Sequence, residues 1–144
     1  MKRISQISVF MENRPGRLLD IVDLLGKNNI NIKAISLADS SDFGITRLIV
    51  KGTEKAVSVL RENGFTISVN NILACIIEDK PGALAKILSL LAENSINIEY
   101  MYGFTAPITE KAVMVFKLSD TNRAQEILSQ NKIEMLSQEE IREI

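Results

Sequence analysis

The N-terminal half of this 144-residue chain reappears in its C-terminal half. The segment 13–18 (NRPGRL) recurs at 79–84 (DKPGAL), and the segment 28–32 (NNINI) recurs at 94–98 (NSINI), both with an offset of 66. Between residues 13 and 32, half of the aligned positions are identical. An internal repeat constrains the architecture before any other feature is considered. Two copies with so long a period do not make a solenoid, so the sequence predicts two copies of one small domain.

The predicted domains are residues 1–70 and 71–144, with only Asn70-Asn71 as a connection. Halves of about 70 residues build cores of marginal size. We therefore expect the two domains to bury surface against each other and the chain to form a homodimer that covers the remaining apolar faces and strand edges.

Each copy alternates strand and helix patterns in the order strand, helix, strand, strand, helix, strand. In the first copy the predicted helices have Pro15 in a first turn and Thr53 as a cap, and Ser40-Ser41-Asp42 forms a hairpin turn. The predicted segments are strands 4–10, 31–38, 45–50 and 65–69 with helices 18–27 and 53–62 in the first copy, and strands 72–78, 97–104, 111–118 and 133–136 with helices from 81 and from 120–121 in the second. A longer turn is expected at 105–107 and one extra helical turn, capped by Ser137, at 137–144.

This order is the split βαβ pattern of ferredoxin-like domains. The predicted fold class is α+β, with two βαββαβ domains whose antiparallel sheets carry both helices on one face.

Composition excludes several classes of function. The chain has no histidine and a single cysteine, Cys75, in an apolar run that predicts a buried thiol, so neither a metal site nor a cofactor is expected. A net charge of −1 gives no footprint for nucleic acid, and no apolar run is long enough for a membrane helix. Without an identifiable catalytic apparatus, the sequence favours a cytoplasmic binding protein over an enzyme.

The repeated Pro-Gly turn is the best candidate for a binding site. Helix N-termini have unpaired amides and a dipole that favours an anion, so a carboxylate is a suitable ligand. Gly16 and Gly82 keep a Cβ away from the ligand, and Asn13 or Asp79 offers an oxygen to an ammonium group. Arg17 adds positive charge in the first copy, where the second copy has Ala83. The alternative is that Pro-Gly only makes a tight connection between strand and helix.

Asn31 and Asn97 open the next strand of each copy. Their amides either contact a ligand or cap the end of the preceding helix. Tyr100 and Tyr102 lie on one face of a strand and predict a half-buried pair, which favours packing over ligand contact.

The segments 8–18 and 78–84, followed in each copy by Asn-Ile, resemble the ACT domain, the amino-acid-sensing module of many biosynthetic enzymes. The resemblance spans nearly the whole chain, which is therefore similar to stand-alone tandem ACT proteins. In ACT domains that bind amino acids, the turn comes from one module and the asparagine from another.

The resemblance thus implies two sites between modules. Asn13 and the amides near Gly16, Arg17 and Leu18 would face Asn97. Asp79 and the amides near Gly82, Ala83 and Leu84 would face Asn31. A serine-sensing relative, the regulatory domain of phosphoglycerate dehydrogenase, has histidine two positions before the loop asparagine. Met11 and Ile77 stand there in this chain, which suggests a more hydrophobic amino acid.

The resemblance implies an amino acid ligand and a partner enzyme of amino-acid metabolism, with the ligand bridging the modules. One alternative is a ligand-independent regulatory subunit or scaffold, similar in module type to the small subunit of acetolactate synthase. An acylphosphatase-like enzyme shares the topology, but the loop lacks a phosphate cradle.

Overall fold

The computed structural model describes residues 2–40, 43–104 and 111–143. The chain divides into two compact units, Ser5–Asn70 and Asn71–Ile144, and Met1–Ile4 belong with the second. Lys2 forms an ion pair with Glu140 at 3.1 Å, and Arg3 donates hydrogen bonds to the side chains of Asn122 and Gln125. Of the predicted hairpin turn at 40–42, Ser40 is the last residue of a strand, and residues 41–42 lie outside the described residues, as does the predicted turn at 105–107.

The first unit has the predicted order of strands and helices. Its elements are β1 (Ile4–Glu12), α1 (Arg17–Lys27), β2 (Ile32–Ser40), β3 (Phe43–Val50), α2 (Thr53–Glu62) and the beginning of β4 (Thr66–Glu78). β3 pairs antiparallel with both β1 and β2, and β1 lies between β3 and β4. Alternate residues of β1 (Ile7, Val9 and Met11) pack with the buried faces of α1 and α2 in one core.

The second unit repeats this arrangement. Its elements are the end of β4, α3 (Ala83–Glu93), β5 (Ile98–Phe104), β6 (Lys111–Leu118), α4 (Thr121–Gln130), β7 (Glu134–Met135) and α5 (Gln138–Glu143). β6 pairs antiparallel with β4 and β5, and β7 pairs with the other side of β4. The core contains Leu73 and Cys75 of β4 together with the buried faces of α3 and α4. The predicted α+β class with two ferredoxin-like domains is confirmed.

Two strands predicted as separate form one. Strand β4 runs without interruption through Asn70 and Asn71, which were predicted to connect the domains. Asparagine is poor in strands but not incompatible with them. The Asn70 side-chain oxygen accepts a hydrogen bond from the Ser8 hydroxyl at 3.3 Å, which helps to keep this position extended.

The helix starts also differ in detail from the predictions. Pro15 precedes α1 instead of lying in its first turn, because Arg14 to Arg17 form a type II turn closed by the Arg17 amide and the Arg14 carbonyl at 3.2 Å. Gly16 occupies the third position with φ 84°, and Gly82 adopts the same conformation with φ 88°. Thr53 is the first residue of α2 and makes no capping hydrogen bond, since Gly52 is the N-cap.

The helix at the C-terminus confirms the expected cap. The Ser137 hydroxyl accepts a hydrogen bond from the Glu140 amide at 3.2 Å, and the Glu140 carboxylate accepts one from the Ser137 amide at 3.2 Å. This reciprocal pair is a capping box. Hydrogen bonds from Lys2 and Ser137 lower the pKa of Glu140.

We expect Gly16→Ala and Gly82→Ala each to lower the free energy of unfolding by about 1–2 kcal/mol, because a Cβ is strained in the left-handed conformation. No atom lies within 4 Å of the added Cβ at either position, so a clash would not contribute. Urea denaturation measures this change.

The matched control is Gly26→Ala, in the last turn of α1 and equally uncrowded. It is expected to stabilise the protein by about 0.5–1 kcal/mol. Equal effects of Gly16→Ala and Gly26→Ala would contradict the assigned turn.

The Cys75 thiol is buried, as predicted, and burial raises its pKa to about 12.

We expect native protein not to react with a thiol reagent such as DTNB at pH 8. The raised pKa keeps the thiol protonated, and burial keeps the reagent away from the sulfur. Protein unfolded in guanidinium should react rapidly and serves as the control. Rapid reaction of the native protein would show that this part of β4 is accessible.

Candidate functional site

The turn between β1 and α1 leaves two backbone amides without a partner among the described residues. The Arg17 amide closes the turn, and the Asp20 amide donates to the Gly16 carbonyl at 3.0 Å. The amides of Leu18 and Leu19, between them, make no hydrogen bond to the described backbone. These two N–H groups lie at the positive end of the helix dipole. They can therefore donate hydrogen bonds to an anion without breaking an existing hydrogen bond.

The second turn has the same backbone hydrogen bonds. The Ala83 amide donates to the Lys80 carbonyl at 3.3 Å and the Lys86 amide to the Gly82 carbonyl at 3.2 Å. Leu84 and Ala85 therefore present the amides that correspond to those of the first turn. The amides of Arg17 and Ala83, which were predicted to face a ligand, instead close the two turns, and the next two amides of each helix are unpaired in the described backbone.

A basic side chain in each turn is paired with the last residue of the preceding strand. Arg14 forms an ion pair with Glu12 at 3.1 Å, and Lys80 forms one with Glu78 at 2.5 Å. Hydrogen bonding to Lys80, with the charges of Lys111 and Lys86, lowers the pKa of Glu78. Asn13 and Asp79, which precede these basic residues, are exposed.

The Arg17 side chain lies against its own unit. Its guanidinium carbon is 4.6 Å from the centroid of the Phe65 ring, and one of its terminal nitrogens is 3.4 Å from the Asp20 carboxylate. The Nε atom is buried without a hydrogen bond, and stacking on the ring offsets part of that cost. The predicted attraction to a ligand carboxylate would require this side chain to rotate.

Asn31 and Asn97 do not cap the preceding helices, in contrast to the structural interpretation that the sequence allowed. Asn28 and Asn94 do so, because their side-chain amides donate to the carbonyls of Leu24 at 2.9 Å and Leu90 at 2.8 Å. The following residue adopts a left-handed conformation and completes a Schellman motif in both copies. In the sequence these caps are indicated by Asn28-Asn29, directly before Ile30, and by Asn94-Ser95, directly before Ile96.

The side chains of Asn31 and Asn97 are consequently exposed at the start of the next strand. Their backbone carbonyls accept hydrogen bonds from the amides of Lys51 at 3.0 Å and Ser119 at 2.9 Å, which fixes the positions of both residues. Neither side-chain amide forms a hydrogen bond within the described part of the chain. Both are available to a ligand.

The turn and the asparagine of one unit lie at opposite ends of a helix. Helix α1 separates Gly16 from Asn31, and α3 separates Gly82 from Asn97. Each helix has 11 residues and is therefore about 16 Å long. A single unit cannot bring its own turn and its own asparagine together around a small amino acid. The pairing of Asn13 with Asn97 and of Asp79 with Asn31 stays a prediction.

The structure also shows the burial of Met11, Ile77 and the two tyrosines that the sequence singled out. Met11 is 6% exposed and its sulfur accepts a hydrogen bond from the Thr46 hydroxyl at 3.2 Å, so it belongs to the core of its unit. Ile77 is half-buried. Tyr100 and Tyr102 form the expected half-buried pair, with ring centroids 6.5 Å apart.

Two features of the described residues concern alternative functions. None of their helices is long and apolar enough to cross a membrane. They also contain no group of three histidine, cysteine, aspartate or glutamate side chains placed to hold a metal ion.

Comparison with solved structures shows that this architecture occurs elsewhere. Protein BT0572 from Bacteroides thetaiotaomicron has 34% sequence identity and a TM-score of 0.91, over 99% of this chain and 97% of that chain. The ligand-free regulatory subunit of aspartate kinase from Thermus thermophilus has 17% identity and a TM-score of 0.64, over 90% of this chain and 93% of that one. A structure of aspartokinase alpha and beta subunits has 17% identity and a TM-score of 0.56, with coverages of 90% and 96%. The last two similarities show a shared fold.

No curated protein matches the chain. A family model described as an ACT domain pair matches residues 2–144, and that description names no catalytic activity. Together with the repeated turn and the two ferredoxin-like units, this match confirms the resemblance predicted from the sequence. The chain belongs to the family of ACT domain pairs.

Proposed function

We propose that this chain is a cytoplasmic, non-catalytic regulatory protein that binds an amino acid between ACT modules. The observation that carries the proposal is the separation of the two donor groups by the length of a helix. Each unit offers unpaired amides at one end and an exposed asparagine amide at the other. Two modules can combine one of each around a zwitterion, whether they belong to one chain or to a homodimer.

The two ends of an amino acid match these groups. The α-carboxylate would accept hydrogen bonds from the amides of Leu18 and Leu19 or from those of Leu84 and Ala85. The ammonium group would donate to the side-chain oxygen of Asn13 or Asp79. Asn97 or Asn31 of the other module would complete the site. The half-buried Ile77 supports an apolar ligand side chain, whereas the buried Met11 contributes little accessible surface.

The two sites should not be equivalent. The first turn of α1 carries Asp20, whose negative charge opposes a bound carboxylate, although Arg17 partly compensates it. The first turn of α3 carries no acidic residue and has Lys86 at the corresponding position. Asp79 then supplies the negative charge on the ammonium side. We expect the site at the second turn to hold its ligand more tightly.

A partner enzyme of amino-acid metabolism would bind the ligand-bound and ligand-free forms of this chain with different affinities. The structural neighbours described as regulatory subunits of aspartate kinase support this kind of partnership. The ligand would act through a difference in affinity for two arrangements of the modules, which the partner distinguishes.

Titration calorimetry with the twenty amino acids should identify a ligand, with an apolar amino acid preferred over serine. Asn31→Ala and Asn97→Ala are each expected to weaken binding at their own site about tenfold, because each removes a hydrogen bond to a charged group. Asp79→Ala should weaken the tighter site by a similar factor.

The matched control is Gln130→Ala, which removes an exposed amide near the end of α4. It should leave the affinity unchanged. A tight ligand whose affinity is unaffected by all three site variants would rule out the proposed position.

The alternative function is a ligand-independent regulatory subunit. It is favoured by Arg17, whose guanidinium contacts Phe65 and Asp20 of its own unit and is therefore not directed at a ligand. Affinity capture from a lysate, with and without added amino acids, separates the two functions. The proposal predicts that recovery of a partner enzyme changes with an added amino acid. Recovery of a stoichiometric partner that is indifferent to all twenty would favour the alternative.

A further inference from the structure

A pocket of about 290 Å³ lies beside the second turn, and four lysines line it. These are Lys80, Lys86, Lys111 and Lys132, and the only acidic residues among the lining side chains are Glu78 and Glu134. The lining therefore carries an excess of two positive charges. The pocket shares Ile77 and Ala83 with the amino acid site proposed at the second turn, whereas Asp79, Gly82, Leu84 and Asn31 of that site are not part of its lining.

Two of the lysines have no acidic partner. Lys80 pairs with Glu78 at 2.5 Å and Lys111 lies 3.7 Å from Glu134. Lys86 and Lys132 form no ion pair with any residue in the described ranges. An anion can bind these two ammonium groups without displacing an internal carboxylate.

The pocket has a different lining from its counterpart in the first copy, which has a volume of about 270 Å³ and is lined by Arg17, Asp20, Phe65 and neighbours with as many acidic as basic side chains. Ala83 occupies the position of Arg17, whose guanidinium in the first copy lies over Phe65. Ile133 occupies the position of Phe65, and together with Ile87 it gives the pocket apolar surface. Both side chains in the second copy, Ala83 and Ile133, are thus smaller than Arg17 and Phe65 in the first.

The second copy also carries more positive charge at these positions than the first copy. With the offset of 66, Lys86 stands where the first copy has Asp20, and with the offset of 68 in the later part of the repeat, Lys132 stands where it has Gly64. Lys132 has φ 58°, a left-handed conformation that Gly64 adopts without penalty. The second copy therefore accepts an unfavourable backbone conformation while placing a cation at the pocket.

We propose that this pocket binds a small organic anion with two negative charges, either a short dicarboxylate or a phosphate monoester. The volume is at the lower end for ligand pockets, which restricts the ligand to a small metabolite. Lys86 and Lys132 pair with its charges, and Ile87 and Ile133 contact its carbon chain. The lowered pKa of Glu78 is consistent with the positive potential of this region. Ile77, Ala83 and Lys86 also belong to the amino acid site proposed at the second turn, so the dianion and the amino acid should compete there, but the dianion does not need an amino acid to bind.

The test is a titration of the full chain with succinate and with glycerol 3-phosphate at low ionic strength, followed by amide NMR. Residues 76–87 and 132–134 should shift with saturation, and the tighter of the two probes identifies the source of the dianion. Propionate, with a single charge, should bind at least about fivefold more weakly. Added salt should weaken binding, since exposed charges are screened.

Three variants locate the site. Lys86→Gln and Lys132→Gly should each weaken dianion binding about fivefold, the factor that corresponds to about 1 kcal/mol for an exposed charge pair. Lys132→Gly should also raise the melting temperature, so that lost binding cannot be attributed to unfolding. Ala83→Met fills the pocket without changing its charge and should abolish binding.

Lys55→Gln is the control, because Lys55 is an exposed lysine on α2 of the other unit. It should leave dianion binding unchanged. The proposal is overturned if neither probe binds, if propionate binds as tightly as both, or if Lys86→Gln, Lys132→Gly and Ala83→Met bind like the unmodified chain. Asn31 belongs to the amino acid site proposed at the second turn and does not line the pocket. Asn31→Ala should therefore weaken amino acid binding and leave dianion binding unchanged, which separates failure of one proposal from failure of the other.

Discussion

The Pro-Gly turn at the end of the first strand of each copy is the constraint on which the rest of the structure depends. Proline fixes its own φ and glycine accepts the positive φ of the next residue, so the chain reverses within four residues and enters a helix. The same turn closes only one amide and leaves the following two unpaired. One backbone geometry therefore positions the helix over its sheet and leaves two unpaired amides at the start of the helix.

Duplication of this unit has been followed by divergence around the turn. In the first copy the Arg17 guanidinium lies over the Phe65 ring and pairs with Asp20 beside the helix. In the second copy Ala83, Ile133 and Lys86 stand in their places, and the space is an open pocket with positive charge. The backbone is repeated, but the surface chemistry is not. We therefore expect the two halves to respond to different ligands or with different affinities.

Sequence reasoning succeeded where a local pattern dictates the structure. Repeated apolar periodicity predicted both units, and the run around Cys75 predicted its burial. It failed at Asn70 and Asn71, where pairing with neighbouring strands outweighs the turn preference of asparagine. It also allowed Asn31 and Asn97 as helix caps, whereas Asn28 and Asn94 are the caps, because a few residues decide which carbonyl an amide can reach. The pocket beside Ala83 was not predictable, since it depends on how side chains far apart in the sequence, such as Lys86 and Lys132, come together in three dimensions.

The central claim is that an amino acid is held between a turn of one module and an asparagine of another. A crystal structure of protein purified without added ligand, then soaked with the tightest amino acid, tests it most directly. The account predicts density for a zwitterion with its carboxylate on the amides of Leu18 and Leu19 or of Leu84 and Ala85, and with Asn97 or Asn31 of the other module beside it. Turns that face open solvent, remote from any asparagine of a second module, would contradict it.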